Sequence, residues 1–304
     1  MGNKLSSTSR KKRVGNPTAV KNLSTAVNKV DEKNNEHDII SHSNLSSFGR
    51  KSSQVSTTSY WFPNHNEELD RLSSQHFALK VLFEGNISNH ITTHLDMNNS
   101  VVLDLGCGPG TWLMDVATEF PGSKFYGIDI YDIFPSNIRP PNVEFQARDA
   151  LEGLPFPDNT FDLVNLRLFI ISPGGFIQCC EAGMLERGNE FVLAAGRAFT
   201  ETVIERGQDP YISLRMDKTV QNANFNVIDF EAKDINFSKT DPLSKEFLWD
   251  IVKLLKSCQP IIEQRMDMTG EQYEQFLEQL RIELQKKPDA IWTFHRCIGQ
   301  KNKH

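Results

Sequence analysis

The chain has 304 residues, 38% hydrophobic and 24% charged, with 20 Phe, 4 Trp and a formal net charge of −6. That apolar content suffices for the core of one or two domains, and it excludes a collagen, a coiled rod and a chain disordered throughout. No stretch approaches the ~20 consecutive apolar residues of a membrane span and no apolar signal region opens the chain, so the sequence reads as soluble and cytoplasmic.

Charge is unevenly shared. Residues 1–59 hold ten Lys/Arg against four Asp/Glu, giving a tail of +6 and a body of −12. An acidic body disfavours nucleic acid as a partner, because phosphate binding draws on clustered Lys and Arg. Cys107, Cys179, Cys180, Cys258 and Cys297 form no CxxC pair and are odd in number, which fits a reducing compartment and offers no metal site.

The tail, residues 1–59, is rich in Ser, Thr, Asn and Lys and too poor in apolar residues to offset chain entropy, so it reads as disordered. Met1-Gly2-Asn3-Lys4-Leu5-Ser6 fits the pattern in which Gly2 is myristoylated, and Arg10-Lys11-Lys12-Arg13 follows. An acyl chain and a basic cluster together can hold a protein at an anionic membrane surface. The alternatives are a chance match to a short pattern, and a basic run that is a solvated patch or a nuclear signal.

Residues 60–300 read as one domain. Leu69, Leu72, Phe77, Leu79, Leu82 and Phe83 recur at near-helical spacing, and Gly85-Asn86 ends that helix. Val101-Val102-Leu103-Asp104-Leu105 is the apolar run of a buried parallel strand, broken by Gly106-Cys107-Gly108-Pro109-Gly110. A helix over 111–120 stops at Pro121-Gly122, and a second strand over 124–130 carries Asp129 near its end. Strand, glycine turn, helix, strand and terminal acid make a nucleotide-binding βαβ unit. Glycines admit a ligand close to the backbone, the helix start offers unpaired N–H groups, and Asp129, 19 positions after Gly110, can accept from ribose hydroxyls. The alternative is a glycine turn in an unrelated α/β protein.

These residues resemble the class I S-adenosylmethionine-dependent methyltransferases. Asp104 to Gly110 is similar to their first motif, and Gly127-Ile128-Asp129-Ile130 to their ribose-binding strand end. The G-x-G-x-G spacing lacks the third glycine of the dinucleotide fingerprint. A third strand over 143–148 precedes Asp149-Ala150, where the resemblance implies contact with adenine. Leu154-Pro155-Phe156-Pro157-Asp158-Asn159-Thr160-Phe161-Asp162 resembles the family's lead into strand four, over 161–166. Ser59-Tyr60, Pro63-Asn64 and Asp70-Arg71-Leu72 to Gln75-His76 resemble the leading helix of a fungal subgroup related to the velvet-associated methyltransferases. The resemblance implies a Rossmann-like α/β fold, with a mostly parallel seven-stranded sheet and helices on both faces. It also implies S-adenosylmethionine as cofactor, held by Asp104, Gly106, Cys107, Gly108, Gly110, Asp129, Ile130, Asp149, Ala150 and Asn165, the last at the end of strand four. Tyr60, His76 and Arg167 are the candidates for an acceptor pocket, with helix packing or surface ion pairing as their alternatives.

One departure stands out. Strand four ends near Leu166, and Pro173-Gly174-Gly175-Phe176-Ile177-Gln178 resembles the turn into strand five, leaving eight residues, 167–174, where parallel neighbours normally need a dozen or more. The crossover helix is therefore missing, which leaves Leu168, Phe169, Ile170 and Ile171 to cover that sheet face alone. A working enzyme with a deletion, an inactive relative that serves as an interaction protein, and a truncated gene product all fit this gap.

Further on, a helix is expected over 186–205, closed by Gly207, then a strand over 225–232, helices over 243–257 and 270–286, and a final strand over 290–298. The family resemblance makes the last two strands an antiparallel pair with helices inserted between them. An isolated His295 on the last strand reads as a packed residue rather than a base, and Cys179-Cys180 as strand packing. Taken together, the sequence points to methyl transfer to an unidentified acceptor, a small molecule ahead of a protein, with no residue marked as catalytic.

Overall fold

The computed structural model describes residues 65–135, 137–167, 175–286 and 288–301. Gly2, the basic run at 10–13, the tail over 1–59, Tyr60 and residues 168–174 lie outside the described residues.

Helix α1 (His65–Leu82) leads into the single turn α2 (Asn89–Thr92), whose N-cap Ser88 accepts from the backbone of His90. Strand β1 (Val101–Leu105) is buried almost throughout, as a strand covered on both faces must be. Helix α3 (Thr111–Glu119) follows and buries Trp112, Leu113, Val116 and Ala117 along one stripe. Phe120 precedes Pro121, which cannot continue a helix. Strands β2 (Lys124–Asp129), β3 (Val143–Ala147), β4 (Leu163–Arg167) and β5 (Phe176–Ala182) complete the parallel part.

Helix α4 (Glu190–Glu205) starts four residues later than the sequence reading placed it. Asn189 caps it by accepting from the backbone of Val192, and Gly188 with a left-handed φ of 142° sets the boundary. Helix α5 (Met216–Asn222) precedes β6 (Phe225–Asn236), which carries an irregularity between Val227 and Asp229. Helices α6 (Pro242–Ser257), α7 (Gln259–Arg265) and α8 (Gly270–Lys286) lie between β6 and β7 (Ile291–Lys301). Among the described residues, no helix is long and apolar enough to cross a membrane.

The sheet has seven strands in the order β3-β2-β1-β4-β5-β7-β6, with β7 antiparallel to both of its neighbours. This is the Rossmann-like arrangement expected from the sequence. Successive residues of β1 enter opposite cores. Val102 packs with α3 and with Phe125, Val143 and Phe145, whereas Leu103 packs on the other face with Ile128, Val164, Leu166 and the α5 residues Met216 and Val220. A third core joins α1, α4 and the inserted helices over Phe294 and Trp292.

Strands β4 and β5 pair in parallel, Leu163 opposite Phe176 and Arg167 opposite Cys180, although eight residues, 168–175, connect them. The return from Arg167 to the level of Leu163 is four residues, or ~13 Å, and eight extended residues reach ~26 Å. Pairing is therefore compatible with the short connection. Residues 168–171, expected to cover one face of the sheet here, lie outside the described residues, and other side chains cover one face of β4. Leu154, Phe156 and Phe161 lie against it, with Tyr126, Phe156 and Phe161 meeting edge to face at 4.8 to 5.9 Å between ring centres, and α5 adds Met216 and Val220.

Candidate functional site

The site lies at the carboxyl ends of β3, β2, β1 and β4, four neighbouring parallel strands. Ligands of open α/β sheets bind outside such strand ends, at the point where the order reverses, here between β1 and β4.

The turn after β1 is built by three left-handed glycines, Gly106 (φ 70°), Gly108 (φ 53°) and Gly110 (φ 74°). Two of them matter for different reasons. A Cβ on Gly110 would stand 2.4 Å from the Phe145 ring, so glycine there permits the loop to lie on the core. A Cβ on Gly108 would meet nothing within 4 Å, so the space beside that residue is open.

Asp129 at the end of β2 holds this turn in place. Its Oδ2 accepts from the Gly108 N–H at 2.8 Å and its Oδ1 from the Tyr131 N–H at 3.0 Å. Each carboxylate oxygen keeps a lone pair for a further donor. Ile130 follows and is 45% exposed. Asp149 caps a short 3₁₀ turn that opens with Ala150, its Oδ1 accepting from the Leu151 N–H at 2.9 Å, and Leu151 is 80% exposed. Ile130 and Leu151 are two apolar side chains left open to solvent beside two carboxylates, a setting that suits a flat, hydrogen-bonding heterocycle joined to a diol.

Three expected site residues belong instead to the layer beneath. Asp104 accepts from Asn165 Nδ2 at 2.8 Å, and Asn165 Oδ1 accepts from Gln178 Nε2 at 3.0 Å. Gln178 also donates to the Asn86 carbonyl and accepts from the Ser88 N–H. The three side chains stand in register across β1, β4 and β5 and are buried. Asn165 is thus the third residue of β4, not its end. Burial pushes the Asp104 carboxyl up to about 7, against the pull of the Asn165 amide and Arg167. Cys107 turns its side chain into the core beneath α3, and its N–H donates to the Ile128 carbonyl at 3.0 Å. Burial pushes its thiol up.

Gln178 was not singled out in the sequence. The signal was present: Asp104, Asn165 and Gln178 each interrupt an apolar run of their strand, and only strand register brings them together.

His76 from α1 is buried and joins two elements. Its Nε2 lies 3.0 Å from Asp115 Oδ2 on α3, and its Nδ1 lies 2.9 Å from Arg167 Nη1 at the end of β4. A guanidinium only donates, so Nδ1 accepts and Nε2–H donates to Asp115. Burial and the Arg167 charge hold the imidazole down at about 4, keeping it neutral. Lys80 and Asn86 reach the same Asp115 oxygen and also Glu119, each within 3.0 Å. These bonds pin α1 to the helix that follows the glycine turn. His295 is buried, stacks on Phe230, and has no hydrogen bond at Nδ1, in keeping with packing.

A parallel sheet with this strand order, a left-handed glycine turn and an acid at the next strand end define a nucleoside-binding α/β domain. In comparison with known proteins, residues 102–176 match the family described as "Methyltransferase domain". Over that stretch the chain is similar to methyltransferase domains, which supports S-adenosylmethionine as the cofactor. More particularly, it is 28% identical over 262 residues to the N-methyltransferase verN of Clonostachys rogersoniana, covering 76% of this chain and 89% of verN. It is 28% identical to the methyltransferase str3 of Strobilurus tenacellus, over 41% of this chain and 44% of str3. It is 31% identical to the secondary metabolism regulator laeA of Aspergillus flavus, over 49% of this chain and 38% of laeA. The match thus spans nearly all of verN and less than half of the other two.

Proposed function

We propose that this protein transfers a methyl group from S-adenosylmethionine to a nitrogen of a small-molecule acceptor. The cofactor supplies a methyl group already activated by a sulfonium. The protein's contribution is to bind, orient and exclude water. Gly106, Gly108 and Gly110 would admit the nucleoside to the backbone, Asp129 would accept from its ribose hydroxyls, and Asp149 Oδ2 would accept from its amine, between Ile130 and Leu151. The observation that carries this reading is the Asp129–Gly108 hydrogen bond of 2.8 Å, which fixes the carboxylate against the open space there. The alignment along nearly all of an N-methyltransferase supports nitrogen as the nucleophile. The net charge of −6 disfavours a polyanionic acceptor.

A second reading, a methyltransferase-like interaction protein without turnover, is favoured by the eight-residue connection between β4 and β5. Incubation with methyl-labelled S-adenosylmethionine and a panel of small amines separates the two. Labelled amine supports the enzyme. Cofactor binding without transfer to any amine, alcohol or thiol offered would contradict it and favour the second reading.

A further inference from the structure

Beyond the end of β5, α4 and the turn that leads into it enclose a cavity of about 270 Å³, which shares no residue with the nucleoside site. Leu185 and Leu193 give it apolar walls, and its polar lining includes Glu186, Thr200 and Tyr211. Thr200 is 9% exposed, and no hydrogen bond joins its hydroxyl to another described residue, whereas Thr202 on the same helix donates back to the Ala198 carbonyl at 2.8 Å. A hydroxyl so enclosed forgoes the bonds it would make in water, and a polar group placed in the cavity restores them. Charge decides which polar group fits. Burial and the Glu186 charge push the Tyr211 phenol up, so it stays protonated and donates to the Glu186 carboxylate. No ion pair holds Glu186 among the described residues. Nearby cations are engaged by other acids: Arg197 lies 3.6 Å from Glu190, and Arg265 binds both Glu201 and Glu205. The negative charge left over is therefore that of Glu186, at the cavity.

We infer that this cavity binds a small organic ammonium ion, with its charged head on Glu186 and Thr200 and its apolar group between Leu185 and Leu193. A protonated amine brings both the charge that Glu186 lacks and an N–H for the Thr200 hydroxyl, and hydrogen bonds to charged groups are the stronger kind. The apolar walls with a few convergent polar groups are those of a small-molecule pocket. Strand β5 lies next to β4 in the sheet, so the cavity extends the row of strand ends that carries the nucleoside site. The amine comes from one of two sources: the acceptor of the methyl group, or a separate amine. Binding stands without the methyltransferase reading, and only the assignment to the acceptor rests on it.

The test is calorimetric titration of the full chain with isobutylamine and benzylamine at neutral pH, set against the uncharged isosteres isobutanol and benzyl alcohol. Saturable binding of either amine is expected, with the matching alcohol about tenfold or more weaker, and Glu186→Gln is expected to weaken the amine by about tenfold or more. Thr200→Val, which keeps the side-chain shape, is expected to weaken it by about 3- to 10-fold. Glu186 is exposed in the turn, so Glu186→Gln decides the matter even where Thr200→Val does not fold. No saturable binding of either amine, equal binding of amine and alcohol, or unchanged affinity in Glu186→Gln overturns the inference and leaves the methyltransferase reading standing. The labelling assay then separates the sources. A probe amine that raises the KM of the methylated acceptor supports the inference and assigns the cavity to that acceptor. A probe that binds as stated without competing supports it and assigns the cavity to a separate amine. If the amines bind as stated and nothing is methylated, the cavity stands and the enzyme reading falls.

Discussion

Arg71 of α1 donates from Nη1 to Asp250 Oδ1 of α6 at 2.6 Å, across 179 positions of sequence. The same guanidinium forks onto both oxygens of Glu68 at 2.8 and 2.9 Å, and Gln75 donates to the second oxygen of Asp250 at 2.8 Å. All four side chains are buried. The leading helix is therefore locked to the helices inserted before the last strand, and through His76 and Lys80 to the helix after the glycine turn. One cation serves two buried carboxylates, so its removal leaves both uncompensated. Arg71→Met is expected to lower unfolding free energy by about 3–5 kcal/mol, measured by urea denaturation. A loss below ~1 kcal/mol would show that the cluster is solvated.

Gly110 and Gly108 predict opposite outcomes for the same substitution. Gly110→Ala forces a Cβ to within 2.4 Å of Phe145 at a φ of 74°, and is expected to cost at least ~2 kcal/mol of stability. Gly108→Ala meets open space at a φ of 53°, and is expected to cost only ~1 kcal/mol while filling that space. Thermal melts and S-adenosylhomocysteine titration of both variants check this. If Gly108→Ala binds as well as wild type, that space is not where the nucleoside sits.

A pH dependence follows from His76. Its folded-state value lies near 4, below the ordinary 6.5, because burial and Arg167 disfavour the charged ring. Its neutral form thus contributes stability in full above pH ~6.5, and that contribution is lost as pH falls towards 4, by up to about 3 kcal/mol. Denaturation of wild type and His76→Gln at pH 7 and pH 4.5 should show the smaller pH-dependent loss in the Gln variant. Equal losses would mean that His76 is not held neutral.

The polar row beneath the site gives a fourth expectation. Asn165→Leu removes the donor to Asp104 and the acceptor for Gln178, and should cost about 2–4 kcal/mol, because both partners stay buried. Asn165→Asp instead sets a second acid against Asp104, so its stability should fall further as pH rises through 7. A urea series at pH 6 and pH 8 reads both effects.

Much of this fold was legible in the sequence for local reasons. The run Val101–Leu105 had no polar face to give to solvent except Asp104, and the glycines that broke it could only be a turn. Helix α8 and the core of β7 were marked by their spacing alone. Other features depended on partners distant in the chain. The short helices α2, α5 and α7 span one or two turns, too few for periodicity to register. Nothing local in β7 says that it inserts between β5 and β6. The site divided in the same way. Asp129 and the glycines were evident from spacing, but the inward turn of Cys107 and the engagement of Asn165 with Asp104 and Gln178 depend on strand register. Likewise, the contact of His76 with Arg167 joins residues 91 positions apart, which no motif encodes.

The central claim is that Asp129 and the glycine turn together hold an adenosyl cofactor. Calorimetric titration of S-adenosylhomocysteine into wild type and Asp129→Ala tests it most directly. The account predicts micromolar binding to wild type, weakened by about tenfold or more in Asp129→Ala, as expected when a hydrogen bond to a charged group is lost. Equal affinity in the two proteins, or no binding to wild type, would contradict it.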